Sequence, residues 1–137
     1  MSPKTLNILY WSLTILFGLM MLMDGGAGLA QESNGQKAMH DLGYPLYAMS
    51  IMGLAKVLGA LALLQPWFRT LKEWAFAGFT INFLGAAASQ VLSGAGVGMA
   101  VPALVMLAVL LLLYFLWKQY AVAWTSAPLT FGWNLRV

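Results

Sequence analysis

The stretch YAMSIMGLAKVLGALALL, residues 47–64, is a run of apolar and small residues broken by one charge, Lys56. A helix that crosses a bilayer needs about 20 predominantly apolar residues, and this run is close to that length. A lysine near the bilayer centre costs roughly 3 kcal/mol on insertion scales, and such a residue usually faces the protein interior with a partner there. The run therefore sets the fold class and also supplies the first candidate functional residue.

Three more segments of the same kind flank it. With residues 46–64 they give four predicted spanning helices: 6–23, 46–64, 74–92 and 101–117. The chain as a whole is 61% hydrophobic and 8% charged. A soluble domain carries about 25% charged residues, so this chain cannot cover a water-facing surface. In hydrocarbon the backbone must satisfy itself, and a chain this apolar does so as packed helices. The fold expected is all-α and integral to the membrane: a four-helix antiparallel bundle over residues 1–120, with a surface tail from 121 to 137. The connection from Asp24 to Pro45 is long and polar enough to carry a short interfacial helix. Pro102 suits the first turn of the last helix. The first segment is 18 residues long, beyond the roughly 7–15 of a signal-peptide core, and is expected to be a retained helix.

Lys4, Arg69, Lys72, Lys118 and Arg136 fall on one side of this arrangement, and only Lys37 on the other, with Glu32 and Asp41. The positive-inside rule then places both termini in the cytoplasm. Trp11, Trp67, Trp74, Trp117, Tyr120 and Trp124 gather on the same side, as an interfacial belt would. The net charge of +3 is spread along the chain, which argues against a nucleic-acid partner. There is no cysteine and one histidine, His40. Thiol chemistry, Cys-ligated metals and the usual haem and zinc ligand sets are thereby excluded for this chain alone. No nucleophile–base pair can be assembled, so a stand-alone enzyme is not expected.

Depth sorts the remaining polar residues. At about 1.5 Å per residue, Lys56 and Asn82 come out at one midplane level. Asp24, Ser89 and Gln90 come out nearer the outer surface, in a layer that His40 or Asp41 can join. Lys56 could snorkel outward to Asp24. Ala55, Gly59, Gly78, Gly85, Ala86 and Ala88 are expected to form close-packing surfaces between helices. Gly94, Gly96 and Gly98 lack the preceding strand and the spacing of a nucleotide fingerprint, and are expected to form a turn.

Several motifs together resemble those of DoxX-like membrane proteins. His40-Asp41-Leu42-Gly43-Tyr44-Pro45-Leu46-Tyr47 is similar to that family's HLGYPxY segment, and Gly53 to Ala60 to its GxxKxLGA stretch. Leu64-Gln65-Pro66 is similar to its LxP, and residues 71–79, LKEWAFAGF, to its LKEWAYAGF signature. Residues 85–89, GAAAS, match its GAxxS continuation. The resemblance implies a four-helix bundle in the bacterial cytoplasmic membrane. Relatives include subunits of membrane thiosulfate:quinone oxidoreductases and proteins linked to redox stress, and distant animal relatives are assembly chaperones for membrane receptors. Two positions depart from the family. Gln90 stands where members often have a histidine, and Asp24 where they often have a lysine.

Three functions fit these residues. The first is a non-catalytic or accessory subunit of a membrane complex linked to redox or quinone chemistry, or a homo-oligomer. The alternative is a bundle whose internal pocket at Lys56 and Asn82 binds a quinone-like or lipid-like molecule, with Asp24, Ser89 and Gln90 nearby; quinone is the one cofactor suggested. The third is a small transporter, similar in size to multidrug exporters that depend on an intramembrane carboxylate in their first helix.

Overall fold

A computed structural model describes residues 2–94 and 96–125, with side chains described to residue 122. Five α-helices follow in order: α1 Pro3–Leu29, α2 Ser33–Leu42, α3 Leu46–Leu64, α4 Arg69–Leu92 and α5 Val101–Thr125, the last led in by a 3₁₀ turn at Val97–Ala100. Among the described residues four helical segments are long and apolar enough to cross a membrane: Pro3–Leu29, Leu46–Leu64, Arg69–Leu92 and Val97–Val122. The chain is a multi-pass helical membrane protein. The side chain of Trp124 and the tail from residue 126 lie outside the described residues.

Local chemistry sets the helix ends. The Ser2 hydroxyl accepts from the Thr5 N–H and Pro3 occupies the first turn, so α1 starts there. α2 is the short helix expected in the Asp24–Pro45 connection. It stops at Gly43, whose φ of +80° lets the chain turn back on itself. Between α3 and α4, Gln65 holds the turn together. Its amide donates to the carbonyls of Ala62 and Phe68, and its oxygen accepts from the N–H groups of Trp67 and Phe68. α5 carries Pro102 in its first turn and continues to Thr125, beyond the expected end at 117.

α1 packs beside α3 and α5, and α4 closes the ring against the other flanks of α3 and α5, so every neighbouring pair is antiparallel. The two chain-terminal helix ends, the start of α4 and the end of α3 share one end of the bundle, called here the near end. The contiguous core lies in that half. It runs from Leu6 to Met21 on α1, over Ala60 and Leu63 on α3, from Ala75 to Phe83 on α4, and from Leu110 to Trp117 on α5. Phe17 meets the Phe79 ring edge-to-face, with centroids 5.4 Å apart. Leu54, Leu58, Ile81 and Leu111 are among many apolar side chains left facing outward, as a lipid-facing surface requires.

The most extensive seam joins α1 to α3, and it explains where α1 ends. Asp24-Gly25-Gly26-Ala27-Gly28 was expected to leave the helix at Met23. Instead α1 continues to Leu29. A Cβ on Gly25 would sit 2.7 Å from the Gly53 carbonyl oxygen, and one on Gly53 would sit 2.7 Å from that of Gly25. Backbone meets backbone here, and only glycine on both helices permits it. The small residues expected to do this work on α4 do not. Gly78 and Gly85 have nothing within 4 Å of a built Cβ, and Ala86 and Ala88 are exposed.

Candidate functional site between three helices

The extension of α1 moves Asp24. Gly25 approaches Val57 and the Cβ of Lys56, so Asp24 stands at the level of Lys56 and not in an outer layer above it. The Lys56 ammonium donates directly to Asp24 Oδ2, joining α3 to α1. The lysine side chain is 23% exposed and the aspartate 55%. The pair is thus an ion pair at mid-depth in the bundle, inside two of the spanning helices. Its formation needs the glycine seam, because α1 and α3 must be close and in this register for a lysine to reach.

On its other flank Lys56 borders a groove between α3 and α4. The groove encloses about 260 Å³, and its walls include Lys56, Gly59, Trp74, Gly78, Phe79 and Asn82. Gly59 sets its register, since a Cβ there would lie 2.9 Å from the Phe79 ring. Lys56 lies three residues before Gly59 and Asn82 three after Phe79. On antiparallel helices those offsets bring the two polar residues to one level, as their depths had suggested. The Asn82 side chain is half-buried and its amide has no hydrogen-bond partner among the described residues. The site therefore offers an ammonium and a free amide at the edge of an otherwise apolar, aromatic-walled space.

The remaining candidates are separate. Ser89 hydrogen-bonds the Tyr44 hydroxyl at 2.5 Å, tying the corner between α2 and α3 to α4. Gln90 is half-buried and outside the groove. His40 and Asp41 are neighbours on α2, 3.7 Å apart and well exposed. Among the described residues no three His, Asp or Glu side chains gather as metal ligands.

A buried charge escaped the sequence reading. Lys72, counted there only as a charge for orientation, is 4% exposed. Its ammonium crosses the diagonal of the bundle, donates to the Tyr10 hydroxyl at 2.5 Å and lies about 5 Å from the Tyr10 and Trp11 rings. Cation–π contact and a hydroxyl acceptor replace water for a cation in this position. Its spacing gives the signal that was missed. Lys72 precedes Phe79 and Phe83 by 7 and 11 residues, which puts it on their buried stripe. Next to it Lys118 pairs with Glu73, and the Arg69 guanidinium lies 5.9 Å from the Trp117 ring centre. These contacts make an aromatic and cationic collar at the near end.

A four-span bundle with one mid-depth ion pair and one polar-edged groove defines a small polytopic membrane protein. The chain belongs to the DoxX-like family, whose family model matches residues 12–113. No curated protein and no solved structure matches it.

Proposed function

We propose that the chain is a binding module of the bacterial cytoplasmic membrane that holds a neutral, carbonyl-bearing, quinone-like molecule in the groove between α3 and α4. The observation that carries this is the convergence of Lys56 and Asn82 on one apolar groove. Pockets of this kind bind through apolar walls and are oriented by a few polar groups. Depth decides between ligand classes. Asn82 lies 13 residues from the start of α4 and 10 from its end, roughly 15–20 Å from either. Phospholipid headgroups lie at the interface, whereas a quinone ring can sit deeper. Moreover, Lys56 is already paired with a carboxylate, which suits a neutral acceptor better than an anion. The collar of Arg69, Lys72 and Lys118, with Lys4 in the first turn of α1, supports a cytoplasmic location for the near end and for both termini.

Gly85 and Ala88, three residues apart on one exposed face of α4, favour a second, compatible role. An open, small-residue face on α4 lets a helix of another subunit approach closely. The module would then serve as an accessory subunit that presents its ligand to a redox partner.

A short-chain benzoquinone titrated into the protein in quinone-free nanodiscs tests the binding reading, because Trp74 lines the groove. Saturable quenching of tryptophan fluorescence is expected, largely lost in Trp74→Phe. Lys56→Met and Asn82→Leu should each weaken binding by about tenfold, the equivalent of one hydrogen bond of ~1.4 kcal/mol. Linear quenching, identical in all four proteins, would contradict it.

A further inference from the structure

The flank of α4 turned away from the first groove borders a second one, between α4 and α5. It encloses about 200 Å³, with Glu73 at its mouth and Phe76, Ala77, Thr80, Leu111 and Tyr114 among its walls. Arg69, Glu73, Ala77 and Thr80 follow at intervals of four, four and three residues on α4, and Leu111, Tyr114 and Lys118 at three and four on α5. Each set is therefore one stripe along its helix. From the near end inward both stripes read alike, with charge first and small or apolar side chains after it. Thr80 turns its hydroxyl back onto the Phe76 carbonyl, at 2.7 Å, so it adds no open polar group. Ala77 and Leu111 are exposed, which opens the groove on the outside of the bundle. Glu73 stands four residues into α4 and Thr80 eleven, so the groove runs from ~6 to ~16 Å below the helix start. A lipid presents its headgroup at the first level and its chains at the second.

Charge at the mouth selects the lipid. Glu73 accepts from the Lys118 ammonium and, at 3.4 Å, from the Tyr114 hydroxyl. Lys118 and Arg69 both lie over the buried Trp117 ring, 4.8 and 5.9 Å from its centre. Lys118 is balanced by Glu73, whereas the exposed Arg69 has no hydrogen bond or ion pair among the described residues. The cluster therefore carries one net positive charge, on a guanidinium whose donors are free.

We infer that the groove between α4 and α5 binds one anionic phospholipid of the near-end leaflet, its phosphate on Arg69 and Lys118, a headgroup hydroxyl on Glu73 and an acyl chain along Ala77 and Leu111. A guanidinium can grip a phosphate through two parallel N–H donors. The Glu73 carboxylate has acceptor sites beyond the two in use, and a headgroup hydroxyl can donate to one of them. A phospholipid with a single negative charge leaves the mouth neutral, whereas a zwitterionic one leaves the Arg69 charge uncompensated. The site shares no lining residue with the groove between α3 and α4, so it stands or falls apart from the ligand proposed there.

Native mass spectrometry of the full chain in mild detergent, titrated with phosphatidylglycerol or phosphatidylethanolamine of identical chains, tests this. Phosphatidylglycerol should bind about fivefold tighter, the contribution of one basic residue near a membrane surface. Arg69→Gln should abolish that preference. Ala77→Leu fills the groove and should weaken phosphatidylglycerol binding by about threefold or more, through the loss of roughly one methylene's contact. Two controls match these changes. Lys4→Gln removes the same charge from the near end outside the groove, and Ala86→Leu adds the same bulk at an exposed position elsewhere on α4. Both should bind like the parent. Equal losses in Arg69→Gln and Lys4→Gln would overturn the inference, because diffuse attraction would then suffice. So would a parent that does not prefer phosphatidylglycerol, or an Ala77→Leu protein that binds like Ala86→Leu. If one groove variant fails to fold, the other gives the answer.

Discussion

Leucine at Gly53 is expected to abolish the folded bundle. The Cβ alone would sit 2.7 Å from the Gly25 carbonyl oxygen, 2.9 Å from the Leu29 nitrogen and 3.1 Å from the Gly28 carbonyl carbon. All three are backbone atoms and cannot rotate aside. α1 and α3 would have to separate, and with them the seam and the reach of Lys56 to Asp24. An ordinary overpacked core costs ~1–3 kcal/mol because side chains yield; here the loss should exceed that. Gly26→Ala is the matched control. A Cβ there meets nothing within 4 Å, and alanine gains up to about 1 kcal/mol of helix propensity over glycine. Size-exclusion profiles and thermal melts in mild detergent should show Gly53→Leu aggregated and Gly26→Ala as stable as the parent or more so. A Gly53→Leu protein that elutes and melts like the parent would refute the seam.

Removing one member of the Asp24–Lys56 pair should be worse than removing both. Lys56→Met leaves a carboxylate at mid-depth without its cation, and Asp24→Leu leaves an ammonium without its anion. Stranding one partner of a fully buried pair costs ~3–5 kcal/mol, whereas exposed pairs are worth ~0.2–1 kcal/mol. Asp24 is half-exposed, so each single variant should lose about 1–3 kcal/mol, between those limits. The double variant should recover much of the loss, because an apolar pair leaves no charge behind. Denaturation of all four proteins measures the coupling. Strictly additive losses would mean the two side chains do not act as a pair.

What could be read from the sequence, and what could not, follows the range of the forces involved. The α3 helix and the standing of Lys56 were legible because apolar length and an isolated charge are local facts. The shared level of Lys56 and Asn82 followed from helix rise alone. The end of α1 was not legible. Locally, Asp24-Gly25-Gly26-Ala27-Gly28 favours a loop, since each glycine costs about 1 kcal/mol in a helix. It is helical because Gly25 and Gly28 lie against Gly53, some 25 residues away. With that end misplaced, Asp24 was assigned to an outer layer with Ser89 and Gln90. The small residues of α4 misled for the converse reason, as composition does not say which small face has a neighbour. Lys72 was hidden by its position near a helix start, where a lysine is ordinarily solvated.

The most direct measurement is native mass spectrometry of the protein extracted from its own membranes in polymer nanodiscs. One quinone-like species should stay bound to the parent chain after phospholipids are stripped, and be lost from the Lys56→Met, Asn82→Leu double variant. Retention of phospholipids alone, at equal occupancy in both proteins, would contradict a ligand site between α3 and α4.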